Sequence, residues 1–173
     1  EEPGRGKPEK ISKLRTVFEK GGTITAANAS SINDGAAALV VMSIDKSTNL
    51  HSNPICKIVS QTSAAQEPLY FTTAPGKAIT KVLDKAELSI NDIDLFEINE
   101  AFSCVPLVAM DELDIPIEKL NIHGGAVSLG HPIGASGTRI LVTLLNALNM
   151  KNLKYGIASL CIGGGEASAV IIE

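Results

Sequence analysis

The end of the chain constrains its fold most tightly. Two apolar runs, YGIASLCI and ASAVIIE, flank Gly163-Gly164-Gly165, with only Glu166 added between them. Strand-like runs joined by a short glycine loop signal a β-hairpin. Ahead of it, Ile140, Leu141, Leu144, Leu145 and Leu148 recur at helical spacing, the apolar stripe of a helix that packs on one side. Ala78, Ile79, Val82, Leu83 and Ala86 repeat the spacing behind Pro75, a residue suited to a helix's first turn. IDLFEI reads as a strand that leads into NEAF and a largely apolar helix from Val105 to Leu113. ICKIV reads as a strand, AAALVVMSI as a strand buried on both faces, with a buried helix left open by periodicity alone, and KSTNLHSNP as a loop or ragged short helix. Strands alternating with helices predict an α/β domain: a mixed, mostly parallel sheet with an antiparallel final pair and helices on its faces.

The 173 residues suffice for one domain with a good core. Residues 1–22 are polar, close on Gly21-Gly22 and read as a connector; residues 23–173 read as the folded domain. A net charge of −4, 3% aromatic residues and no Trp argue against a nucleic-acid partner and against an anionic membrane surface. No apolar run reaches membrane-spanning length, and the charged start does not resemble a signal peptide. Cys56, Cys104 and Cys161 form no disulfide or CxxC framework, so a reducing compartment is expected. The cytoplasm is the first expectation, with the mitochondrion left open.

Three places hold residues able to do chemistry. His131 is the single titratable group of GGAVSLGHPIGASGT, a loop that feeds a helix beginning near Ser136. Backbone N–H groups and the positive end of a helix dipole gather at such a point. The loop lacks the lysine of a phosphate loop and the spacing of a dinucleotide fingerprint; a hydrogen-bonded structural histidine stays open. Cys161 stands at a strand end before three glycines, either as a small buried hydrophobe or as a thiol beside amide donors. Asn99-Glu100-Ala101-Phe102 joins a strand to a helix, where Asn99 and Glu100 either cap the helix or face a site at the strand's carboxyl end. His51, His123, His131 and Cys161 show no zinc spacing.

Asn99-Glu100-Ala101-Phe102, the stretch Gly124 to Gly137 and Cys161-Ile162-Gly163-Gly164-Gly165 resemble, in this order, the three signature blocks of the thiolase family. TAANASSINDGAAALVVM resembles a further stretch of the family, taken as the opening of its second half. The nearest branch is that of acetyl-CoA C-acetyltransferases. The resemblance implies one βαβαβαββ half of a five-layered αβαβα sandwich. It also implies a Claisen condensation of two acetyl-CoA to acetoacetyl-CoA and CoA, or the reverse thiolysis, with no cofactor required beyond the coenzyme A thioester substrate. Cys161 would be the general base, His131 would activate the nucleophile and donate to the thioester oxygen, and Asn99 would hold a water completing that oxyanion hole. The amide of Gly163 would serve a second one. Ser30 and Ile32 would touch the pantetheine arm, with Ala101 and Phe102 lining the acyl pocket. Backbone carbonyls of Ala26, Ala27, Ala29 and Val127 would hold K+, with further ligands from outside the chain.

The family's nucleophilic cysteine belongs to a C-S-S-G-like block that these residues lack. The chain is therefore expected to be the C-terminal half, inactive alone, with an N-terminal thiolase half as its partner and a homodimer or homotetramer as the parent's assembly. An apolar face left bare by the missing half is expected on the Val105–Leu113 or Ile140–Leu148 helix. Longer-chain 3-ketoacyl-CoA thiolase activity, or a non-catalytic CoA-binding remnant, are the competing readings.

Overall fold

The computed structural model describes Gly4 and residues 6–173; the rest of the connector expected over 1–22 lies outside the described residues. Four strands form one sheet in the order β1-β4-β3-β2. They are β1 (Ile58–Ala65), β2 (Leu95–Ile98), β3 (Gly156–Ile162) and β4 (Glu166–Ile172). The helices are α1 (Ile44–Asn49), α2 (Ala74–Ala86), α3 (Cys104–Leu113), α4 (Ala126–Leu129) and α5 (Ser136–Lys151). No helix among the described residues is long and apolar enough to cross a membrane.

The hairpin forms where the glycines predicted it, with Ile162 opposite Glu166. Gly164 and Gly165 hold φ of +113° and +92°, a region L side chains rarely adopt. A β-carbon on Gly165 would also collide with the backbone carbonyl of Gln66, whose N–H donates to Gly165 O at 2.9 Å. Gly165→Ala is therefore expected to destabilise the protein by at least about 2 kcal/mol, measured by urea unfolding.

Alternation along the strands sorts the core into two layers. Phe96, Ile98, Ile157 and Ile171 pack with Ile79 and Val82 of α2 and with Val105 and Ala109 of α3. Leu95, Ala158 and Ile172 face the other way, onto Ile140, Leu144 and Leu148 of α5. Helices therefore cover both faces of a mixed sheet, as the sequence predicts. The balance of pairings differs: β2–β3 is parallel, whereas β3–β4 and β4–β1 are antiparallel. The returning strand β4 inserts between β3 and β1, so it contributes two antiparallel ladders rather than one.

Two further expectations change. The AAALVVMSI run forms no strand; residues 33–43 carry no regular structure and pair with nothing in the sheet. Val40 is 88% exposed and Val41 70%. A strand needs a neighbour for its N–H and C=O groups; Leu120 bridges to Phe96 beside β2, and residues 33–43 make no ladder with the β1 edge. Leu39 to Met42 and Ile44 form a run of exposed apolar residues here, whereas Ile140, Leu144 and Leu148 of α5 are buried. On α3 only Leu107 stands out among the strongly apolar positions.

Candidate active site

The carboxyl end of β2 carries the first candidate. Asn99 continues the strand, donating its N–H to Ser159 O at 2.9 Å, and is 1% exposed. It shares the α5 face of the sheet with Glu97 and Leu95. The chain then turns over the sheet edge, because Ala101 and Phe102 join the opposite layer with Cys161. Phe102 makes edge contacts with Phe71 at 6.3 Å and with the connector's Phe18 at 5.6 Å.

His131 arrives from the glycine-rich loop. Ser136, at the first residue of α5 and fully buried, donates its hydroxyl proton to Pro132 O at 3.0 Å. Its oxygen then accepts from His131 Nδ1 at 2.6 Å. A neutral imidazole with its proton on Nδ1 keeps a lone pair on Nε2, and Nε2 faces Asn99 Nδ2 at 3.4 Å. Burial, followed by the nearby Arg139 cation, holds the His131 pKa below its ordinary value. The ring is thus a neutral proton acceptor at neutral pH. Asn99 Oδ1 is buried and has no hydrogen-bond partner among the described residues, a costly arrangement unless a water or substrate group donates to it.

The sequence singled out Asn99 and His131 but not the residues that lock them together. Segment 28–35 runs between the two loops as a splint. Ser30 gives both its N–H and its hydroxyl to Ala101 O, at 3.1 and 2.9 Å, and Asn28 O accepts from Ser103 N. Ser31 O accepts from His131 N at 2.8 Å, beside a parallel bridge between Ile32 and His131. Ser30 therefore has a structural engagement, whereas Ile32 is 84% exposed. Asn121, at φ 45°, extends the edge of β2 with its side chain, accepting from Ile98 N and donating to Ile98 O, both at 2.8 Å. It also donates to Glu100 Oε1, while Glu100 Oε2 accepts from Val127 N at 3.0 Å. Gly125 permits this grip, since a β-carbon there would overlap the Glu100 carboxylate. An Asn in left-handed backbone is the only sequence signal that could have drawn attention to residue 121.

Cys161 ends β3 on the α2/α3 face, one strand over from the Asn99 loop. It makes no hydrogen bond to His131 or Asn99 through its side chain; the 99–103 turn over the sheet edge links them. Burial is the main influence on the thiol and pushes its pKa up to about 11; a backbone hydrogen bond opposes this, and neighbouring Cys104 adds to it. Cys161 is therefore a thiol at neutral pH. Burial also raises Cys56 and Cys104, so neither is an activated nucleophile. Gly163 is exposed in the hairpin turn. The carbonyls of Ala26, Ala27 and Ala29 accept no backbone hydrogen bond among the described residues, which leaves a donor set of the oxygen type that alkali and other hard cations use. Among the described residues no cluster of three His, Cys, Asp or Glu forms.

Comparison with known proteins places the chain in a family. The family description "Thiolase, C-terminal domain" matches residues 52–173, and "Thiolase, N-terminal domain" matches residues 4–45. The exposed run 36–43 thus falls in the stretch matched by the N-terminal description, which accounts for its lack of a partner in this sheet. Acetyl-CoA acetyltransferase 1 of Arabidopsis thaliana is 53% identical over 98% of the chain, which spans 41% of that relative. The crystal structure of the Bacillus anthracis acetyl-CoA acetyltransferase superimposes with a TM-score of 0.93 at 45% identity, covering 95% of this chain and 42% of that one. The Acat5 thiolase from Ascaris suum, solved in complex with coenzyme A, superimposes with a TM-score of 0.91 at 44% identity, covering all of this chain and 45% of that one. The chain therefore spans about two fifths of such relatives, and on these matches it belongs to the thiolase family, acetyl-CoA acetyltransferase-like.

Proposed function

We propose that these residues form the C-terminal part of the active site of an enzyme that condenses two acetyl-CoA to acetoacetyl-CoA, or cleaves it by thiolysis. The observation that carries this reading is the chain Ser136–His131–Asn99, which ends on a buried, unpartnered amide oxygen. With Nδ1 fixed as a donor, Nε2 can take a thiol proton; once protonated, it can donate to the oxygen of a bound thioester. Asn99 Oδ1 would hold a water beside that oxygen, completing the pair of donors. Cys161, across the sheet edge, would transfer the proton at the α-carbon, with the amide of Gly163 serving the second thioester oxygen. Ala101 and Phe102 would border the acyl group, and exposed Ile32 would lie along the pantetheine arm of CoA.

The nucleophilic cysteine would come from sequence outside these 173 residues, since burial disfavours the thiolate at Cys56 and Cys104. That sequence would also supply the sheet partners of residues 36–43. The test compares the 173-residue chain with the full-length protein in thiolysis of acetoacetyl-CoA. Turnover by the full-length protein alone is the expected result. Turnover by the isolated chain would refute the external nucleophile, and preference for a long-chain 3-ketoacyl-CoA would refute the short-chain assignment.

K+ would be held by the carbonyls of Ala26, Ala27, Ala29 and Val127, anchoring segment 28–35 to α4. Its positive charge would stiffen the splint between the two loops. Full-length enzyme is expected to turn over faster in K+ than in Na+ at equal ionic strength; equal rates would remove the site.

A further inference from the structure

Behind the His131–Asn99 contact lies a second pair that the chemistry above does not use. Glu97 and Asn99 are two residues apart on β2 and project to the same side. Asn99 meets His131, and Glu97 meets Arg139, whose Nη1 lies 3.8 Å from Glu97 Oε2. Arg139 follows Ser136 by three residues on α5, so one helical turn carries both the hydroxyl that holds His131 Nδ1 and this guanidinium. The strand and the helix are thus joined by two adjacent rungs.

The second rung is poorly built for stability. The Glu97 side chain is 3% exposed and that of Arg139 19%, and burying both charges is repaid only by close, fully hydrogen-bonded geometry. Here the contact is long and single, Arg139 Nε has no partner among the described residues, and the remaining bond runs from Nη1 to Thr143 Oγ1 at 3.5 Å. A pair selected for strength would be short and bidentate.

We propose that Glu97 and Arg139 are positioning residues for His131: the guanidinium bears on the imidazole through space, and the Glu97 carboxyl, neutral or ionised, decides how far that charge is offset. This rests on the reading of His131 as the proton acceptor. Among the described residues, the charged groups on the elements beside the ring are Arg139 on α5, Glu97 on β2, Glu100 in the turn after β2 and Asp34 of the splint, which lines a groove with Pro132. Arg139 is the group that depresses His131 after burial. Burial pushes Glu97 up to about 7 against the pull of Arg139, with Glu100 adding to the rise. The sign follows directly. Below that value Glu97 is neutral and Arg139 acts unopposed, weakening His131 as a base; above it the carboxylate restores the balance.

The test uses the full-length protein with 13C-labelled histidine, the His131 resonance being identified by its loss in His131→Gln. Without substrate, Arg139→Gln is expected to raise the His131 pKa by roughly one unit, and Glu97→Gln, which mimics the neutral carboxyl present where His131 titrates, to leave it near wild type. Combining the two should reproduce the Arg139→Gln value, and Arg139→Lys, which keeps the charge, should leave it near wild type. The acid limb of kcat/KM should move in the same directions. No rise in folded Arg139→Gln protein, or a fall of a full unit in Glu97→Gln, would overturn the proposal. If Glu97→Gln does not fold, Arg139→Lys still decides: retained charge with a displaced titration would mean a packing role alone. Wild-type protein that titrates as described but cleaves no acetoacetyl-CoA would refute the thiolase reading and not this one.

Discussion

His131→Ala in the full-length protein is expected to lower kcat for acetoacetyl-CoA thiolysis by about 10⁴-fold, with little change in KM. General-base transfer is worth roughly 10²–10⁴ in rate and a positioned oxyanion donor roughly 10²–10³. On the proposed reading one ring performs both tasks in succession, so their losses overlap rather than multiply. The Ser136 hydroxyl makes the succession work: spending its proton on Pro132 O forces His131 Nδ1 to donate and frees Nε2. Ser136→Ala should accordingly retain the fold and lose a smaller factor, because the tautomer is no longer imposed. The pH dependence supplies an independent check. His131 is held below its ordinary pKa of 6.5, so the acid limb of the wild-type profile should fall below that value, with activity lost as the ring protonates. The limb should vanish from the residual activity of the alanine variant. A variant with more than about a tenth of wild-type kcat would remove His131 from the mechanism.

Cys161→Ala is expected to cost about 10³-fold in kcat, the range for a proton transfer made by one positioned group. With its pKa pushed up to about 11, the group carries its proton at neutral pH. On the proposed reading it would protonate the departing enolate carbon in thiolysis and, once deprotonated, act as a strong base for condensation. The same burial predicts its chemical behaviour. At pH 8 the thiolate fraction is about 10⁻³, so iodoacetamide should modify Cys161 about a hundredfold more slowly than a free cysteine whose pKa is near 9, with the rate rising toward pH 11. Alkylation at the free-thiol rate would show that the remainder of the protein reverses the desolvation seen in this chain. Cys161→Ala with unchanged kcat would transfer the proton step to another residue.

Much of the scaffold could be read from the chain directly. The stripe Ala78 to Ala86 is one face of α2, and every strongly apolar member of it is buried. The hairpin followed from two apolar runs and three glycines, because local turn chemistry fixes which strands pair. β1 was only half legible. The expected ICKIV strand covers residues 55–59, whereas β1 runs from Ile58 to Ala65; the polar SQTSAA half carries no apolar alternation and is a strand because β4 pairs with it. AAALVVMSI shows the converse, a strand-like composition with no partner in this sheet.

The site divides in the same way. Asn99, His131 and Cys161 stood out through residue type, glycine context and likeness to a family, all of which are properties of the linear chain. Sequence alone determined which groups could carry a proton and where the helices and hairpin begin, since these depend on neighbours within a few positions. Only the tertiary structure decided that Ser136 sets the imidazole tautomer, that Asn121 and segment 28–35 bind the two loops together, that Glu97 faces Arg139, and that Cys161 approaches from the opposite layer. Among those contacts Ser31 and His131 stand 100 positions apart, and no local preference encodes such a distance. They exist because two apolar layers pack against one sheet and bring the loops at its carboxyl edge together.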